Sequence, residues 1–173
     1  MEYSHIKERL IGLFDYNKLQ LLPGEWGFFN EIDRDIKRVG YATNLTQVII
    51  REASELNIDL LLTHHDSWDF IYGLKESCNR ALKECGITHG FFHAPLDDAE
   101  FGTSASLAKA LGIRNCRKVM PYAEIYYGGV IGDMPAIEFS SLSNKLTDIL
   151  QEEIRCYQNN DKVIQKVAVA AGG

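Results

Sequence analysis

Apolar positions along this chain fall into two rhythms: stripes at helical spacing and unbroken runs of strand length. Ile6, Leu10, Leu13 and Phe14 recur every three or four residues after Ser4, predicting a first helix with that serine as its cap. Pro23-Gly24 breaks the chain. The aromatic stretch Glu25-Trp26-Gly27-Phe28-Phe29-Asn30 reads as side chains tucked into the core, or as an irregular pocket wall. Residues 39–42 predict a short strand. Asn44 or Thr46 can cap a helix carrying Val48, Ile49, Ala53 and Leu56 on one side, and Asn57 suits its C-terminal end. Residues 58–62 follow as a buried strand, four apolar residues bracketing one Asp. This β-α-β rhythm favours parallel pairing with a right-handed crossover.

The rhythm continues through a loop at 67–73, a helix over 74–85 closed by Gly86, and a strand over 88–92. Gly102-Thr103-Ser104 opens a helix through Leu107, Ala110 and Leu111 that stops at Gly112. Strands are expected near Val119, at 123–131 and at 163–169, with a helix over 140–157 between the last two. The fold class is α/β, a mixed sheet built of β-α-β units in one domain over residues 1–173. The turn Ala170-Ala171-Gly172-Gly173 follows a buried-looking strand, as at the start of a further unit, so the domain is expected to be incomplete at its C-terminus. Val163, Val167 and Val169 would then need cover from another subunit, or leave an apolar surface.

Chemistry concentrates at two strand ends. The run over 58–62 leads into Thr63-His64-His65-Asp66, and Gly90-Phe91-Phe92 leads into His93-Ala94-Pro95-Leu96-Asp97-Asp98. Sites in α/β sheets lie beyond the carboxyl ends of strands. Neighbouring residues of an ideal strand point to opposite faces. His64 and His65 therefore share one site only if the strand ends between them, or if two ions lie side by side, about 3.5–4 Å apart. Asp97 could bridge such ions with its two oxygens. Imidazole with carboxylate suits zinc, iron, manganese or nickel. His93 is either a ligand or a residue that orients one. Asp66, Asp69, Asp98 and Glu100 read as solvated charges or helix N-terminal carboxylates, and His5 and His89 as structural. No GxSxG elbow and no phosphate-binding GxxxxGK[ST] loop occurs.

Composition narrows the function classes. The formal net charge is −6, with 18 Lys and Arg against 24 Asp and Glu, which argues against broad binding to nucleic acid or anionic membrane. No apolar run approaches a membrane span, and Met1-Glu2-Tyr3-Ser4-His5 lacks the blocks of a signal peptide. Cys78, Cys85, Cys116 and Cys156 form no CxxC pair and read as reduced thiols, so a cytoplasmic location is expected.

In order and spacing, Asp59-Leu60-Leu61-Leu62-Thr63-His64-His65, His93-Ala94-Pro95-Leu96-Asp97, Gly102-Thr103 and Leu111-Gly112 resemble motifs of the Nif-three-like family of dinuclear-metal proteins, also called GTP cyclohydrolase I type 2. Weaker likeness runs outward through Trp26-Gly27, residues 40–46, Gly129-Val130-Ile131-Gly132 and residues 167–173. The resemblance implies metal ligation by His64, His65 and Asp97, with His93 matching the other motif histidine, nearest to a supporting role. It implies a metal-dependent hydrolase acting through metal-activated water on a small-molecule substrate, with one or two divalent ions and a homo-oligomeric assembly. The alternative is a non-catalytic interaction or regulatory module with a degenerate metal site. Asp66 stands where the family has Pro, Ala94-Pro95 where it has Thr-Asn, and Asn44 where an Asp is common. Family members draw a further His and Glu from beyond the last matched strand. No His follows His93 here, so weak metal occupancy is expected, or ligands from Asp66, Asp98, Glu100 or another subunit.

Overall fold

The alternation of strand and helix is realised in a computed structural model that describes residues 1–70 and 73–170. Part of the loop expected at 67–73 (residues 71 and 72) and of the turn expected at 170–173 (residues 171–173) lies outside the described residues. The fold is α/β with a mixed sheet, and the chain divides into two compact units, Met1–Pro95 and Leu96–Gly173.

The first unit contains α1 (Tyr3–Ile11), α2 (Tyr16–Leu21), a 3-10 turn at Pro23–Glu25, β1 (Trp26–Phe29), β2 (Val39–Asn44), α3 (Gln47–Glu55), β3 (Leu60–His65), α4 (Lys75–Cys85) and β4 (Thr88–Phe92). Its sheet runs β1-β4-β3-β2, with β2, β3 and β4 parallel and β1 antiparallel to β4. The central strand β3 is apolar without alternation because both its faces are covered. Leu60 packs with Tyr3 and Ile36, whereas Leu61 joins Leu45, Ile50, Cys78, Leu82 and Ile87 beside α3 and α4. Thr46 caps α3, its Oγ1 accepting from the Ile49 N–H at 3.2 Å. Asn57 beyond α3 (φ 54°) and Gly86 after α4 (φ 63°) take the left-handed turns that end those helices.

The short helix α5 (Ala94–Asp98) crosses the boundary between the units. The second unit continues with α6 (Thr103–Leu111), β5 (Arg114–Tyr122), β6 (Tyr126–Ile137), α7 (Phe139–Leu150) and β7 (Ile164–Ala170), the strands forming an antiparallel sheet in the order β5-β6-β7. Its core joins Ala108 and Leu111 of α6, Leu142 of α7, and Ile113, Met134 and Val169 from the strand side. Gly132 lies where the backbones approach: a Cβ there would sit 2.5 Å from the Arg114 carbonyl oxygen.

Several expectations change. The aromatic stretch is the strand β1, because its backbone pairs with β4 (Trp26 opposite Phe92, Phe29 opposite His89). The first helix has no side-chain cap at Ser4: it begins at Tyr3, and Leu13 and Phe14 lie beyond it. The strand expected at 58–62 runs over Leu60–His65 and carries both histidines. The strand expected over 123–131 resolves into β6 alone, preceded by the turn that joins it to β5. The helix expected over 140–157 stops at Leu150. Val163 is exposed, but Val169 is buried among side chains of the same unit, and Val167 packs beside it.

Candidate metal centre

Three parallel strands bring their carboxyl ends to one edge of the first unit's sheet, and each delivers a polar group. Asn44 ends β2 and is the register partner of His65 on β3. His64 and His65 close β3, and His93 directly follows β4. The antiparallel strand β1 begins at the same edge. Its Trp26 pairs with Phe92, which sets Glu25 beside His93, and the His93 N–H donates to the Glu25 carbonyl at 2.8 Å.

The three imidazoles gather there. Ring centroids are 4.4 Å apart for His64 and His65, 5.1 Å for His64 and His93, and 5.2 Å for His65 and His93. One ring nitrogen from each lies within 4.8 Å of the others, so the group could hold a metal ion. The Trp68 ring borders the group, 5.0 Å from His93 and 6.0 Å from His65. His64 is buried; His65 and His93 are half-buried.

In every one of these rings Nδ1 faces an oxygen. For His64 it is the Phe92 carbonyl at 3.1 Å, for His65 the Asn44 Oδ1 at 2.6 Å, and for His93 the Glu25 Oε2 at 2.5 Å. A carbonyl and a carboxylate can only accept, so Nδ1 of His64 and of His93 carries the proton. The Asn44 oxygen sets the same tautomer in His65. Neutral rings in this state carry their lone pair on Nε2, the form in which a metal is ligated while the opposite nitrogen is held by an acceptor.

A fourth imidazole lies beneath, in the opposite tautomer. The Thr63 hydroxyl donates to the His65 carbonyl at 2.8 Å, so it accepts from His89 Nε2, also at 2.8 Å. Burial, reinforced by the Lys75 ammonium and opposed by Asp66, pushes the His89 pKa down to about 4, so the ring is neutral. Through Thr63 it ties the backbone at His65. Asp66 is buried rather than solvated: its Oδ2 pairs with Lys75 Nζ at 3.1 Å and its Oδ1 accepts from the Ser67 N–H at 2.8 Å.

Of the residues singled out in the sequence, the structure brings His64, His65 and His93 together, and His93 stands on an equal footing with the pair. Asp97 belongs to the second unit, where its Oδ1 accepts from the Thr103 hydroxyl at 2.6 Å. Asp98, expected as a solvated charge or a helix N-terminal carboxylate, is buried in that unit and paired with Lys118. Asp69 is exposed and accepts from the Lys75 N–H, and Glu100 is exposed. Glu25 and Trp68 were missed. Only the pairing of β1 with β4 puts Glu25 next to a histidine 68 positions away.

Fold and site together define an α/β protein with an imidazole group, at the carboxyl edge of a mixed sheet, that could hold a metal ion. Residues 24–173 match the family Duf34/NIF3 (NGG1p interacting factor 3), and the chain belongs to that family. It is 26% identical over 147 residues to the GTP cyclohydrolase 1 type 2 homolog of Haemophilus influenzae, a match covering 80% of this chain and 58% of that protein. The chain thus spans less than two thirds of that curated relative. Among solved structures it resembles the structural-genomics protein ybgI, of unknown function (TM-score 0.77, 20% identity, 100% of this chain and 70% of that one). It also resembles TTHA1606 from Thermus thermophilus (TM-score 0.76, 21% identity, 98% of this chain and 69% of that one). No described helix is long and apolar enough to cross a membrane.

Proposed function

We propose that this chain binds a divalent cation through Nε2 of His64, His65 and His93, with Asp97 as a further ligand, and serves metal-dependent hydrolysis of a small molecule. The observation that carries this reading is the common orientation of three rings, each with Nδ1 on an oxygen acceptor and all within reach of one ion. Nitrogens sharing one tetrahedral zinc stand roughly 3.4 Å apart at Zn–N distances of about 2.0–2.1 Å. The 4.8 Å bound on this group is thus compatible with one shared ion after small side-chain shifts, or with two neighbouring ions. The ligand role of Asp97 rests on the motif resemblance. Imidazole with carboxylate suits zinc, iron, manganese or nickel.

A bound cation supplies Lewis acidity, which brings the pKa of coordinated water towards neutrality. The chain's own residues do the rest. Phe92, Asn44 and Glu25 orient the three rings, and the Glu25 carboxylate makes the His93 nitrogen a stronger donor. Trp68 walls the side of the group beside His65 and His93. The relative's name suggests a nucleotide-like substrate, and the homo-oligomer implied by the resemblance is part of the same proposal.

The test is hydrolysis of bis(p-nitrophenyl) phosphate by metal-stripped protein resupplied with zinc or manganese, beside His64→Ala and Asp97→Asn. Metal-dependent turnover lost in both variants supports the reading. Metal binding without turnover favours the non-catalytic module, and turnover unchanged in His64→Ala contradicts the site.

A further inference from the structure

The second unit holds a cleft of about 450 Å³ that the histidine group does not use. Lys109 of α6 and Arg114, Arg117 and Lys118 of β5 line it. Two arginines three positions apart would face opposite sides of a regular strand. Here the register with β6 shifts between them, with Asn115 in the left-handed region (φ 52°), and both line the cleft. Lys118 is already neutralised, its Nζ donating to Asp98 Oδ1 at 2.6 Å and to the Asp98 carbonyl at 2.7 Å. Lys109, Arg114 and Arg117 have no ion-pair partner among the described residues.

Four cations face two carboxylates, Asp98 and Glu100, so the cleft is positive in a chain whose net charge is −6. Such a local excess attracts a compact anion. Guanidinium forks match phosphate oxygens in pairs, and with Lys118 paired to Asp98, Lys109, Arg114 and Arg117 outnumber the one remaining carboxylate, Glu100, by the double charge that a phosphate monoester brings. Ala105, Ile113 and Val130 add apolar wall, and the volume lies in the range of small-molecule sites.

We propose that this cleft binds a small organic phosphate, its dianionic head on Lys109, Arg114 and Arg117 and its apolar body against Ile113 and Val130. The site is independent of the metal reading, because Lys109, Ile113, Arg114, Arg117 and Val130 are none of the residues that reading uses.

The test is calorimetric titration of the full chain, stripped of metal and dialysed, with phenyl phosphate and separately with inorganic phosphate at pH 8. Saturable 1:1 binding is expected, at least threefold tighter for phenyl phosphate. It should weaken tenfold or more in Arg114→Ser/Arg117→Ser and remain unchanged in Arg155→Ser, an exposed arginine outside the cleft. Should the double variant fail to fold, Lys109→Glu on the exposed side of α6 carries the same expectation. Absence of saturation, or equal binding by wild type and cleft variants, overturns the site. Equal affinity for the two probes overturns the organic-phosphate assignment.

Discussion

Acid should destabilise this protein through the buried ring of His89. The ring is 1% exposed and its pKa is pushed down to about 4, first by burial and then by Lys75, against the pull of Asp66. An unfolded chain takes up this proton near pH 6.5, whereas the folded chain resists until about pH 4. The folded pKa is the lower one, so the stabilisation is fully present above pH 6.5 and drains away as pH falls towards 4. At about 1.4 kcal/mol for each pH unit between the folded and unfolded values, the loss between pH 7 and pH 4.5 comes to roughly 2–3 kcal/mol, a large fraction of a typical domain's stability. Urea denaturation of wild type and His89→Gln across this range isolates the effect. Glutamine can still donate to Thr63 but does not titrate. The wild-type curve should fall by roughly 2–3 kcal/mol more than the variant's. Parallel curves would refute the assignment of His89 as a buried neutral donor.

Glu25→Gln should leave the melting temperature nearly unchanged yet weaken zinc affinity by about 10–100-fold, because it removes the charged acceptor on His93 Nδ1; competition with a chelating dye reads this. Gly132→Ala should lower stability by about 2–3 kcal/mol in thermal melts, since its methyl would meet the Arg114 carbonyl at 2.5 Å and the Ile113 side chain at 2.6 Å. Gly86→Ala, with φ at 63° but open space around the Cβ, should cost only about 1 kcal/mol in the same assay.

The parallel part of the sheet was legible because its strands obey local rules: β3 is apolar on both faces, and Gly86 and Gly112 stop helices where the stripes end. β1 was not, since Trp26-Gly27-Phe28-Phe29 is too short and aromatic to alternate, and pairing with β4 decides its state. The extra length of β6 comes from its pairing with β5 and β7, out to Ile137 opposite Ile164, and α7 ends early where Gln151 takes a left-handed turn (φ 55°). His64, His65 and His93 were legible because two strand ends share one edge. Their anchors were not: Asn44 and Glu25 meet these rings across 21 and 68 positions, separations no local pattern encodes. Asp66 and Asp98 were misjudged because each charge is met by a lysine, nine and 20 positions further on.

The central claim is that three imidazoles present Nε2 to a common cation while oxygen acceptors hold Nδ1. Long-range ¹⁵N NMR of the histidine rings during a zinc titration tests it most directly. The metal-free protein should show His64, His65 and His93 protonated at Nδ1 and His89 at Nε2. Zinc should then shift the Nε2 resonances of His64, His65 and His93 together and leave His5 and His89 in place. Zinc-induced shifts at Nδ1, or none at His93, would contradict the account.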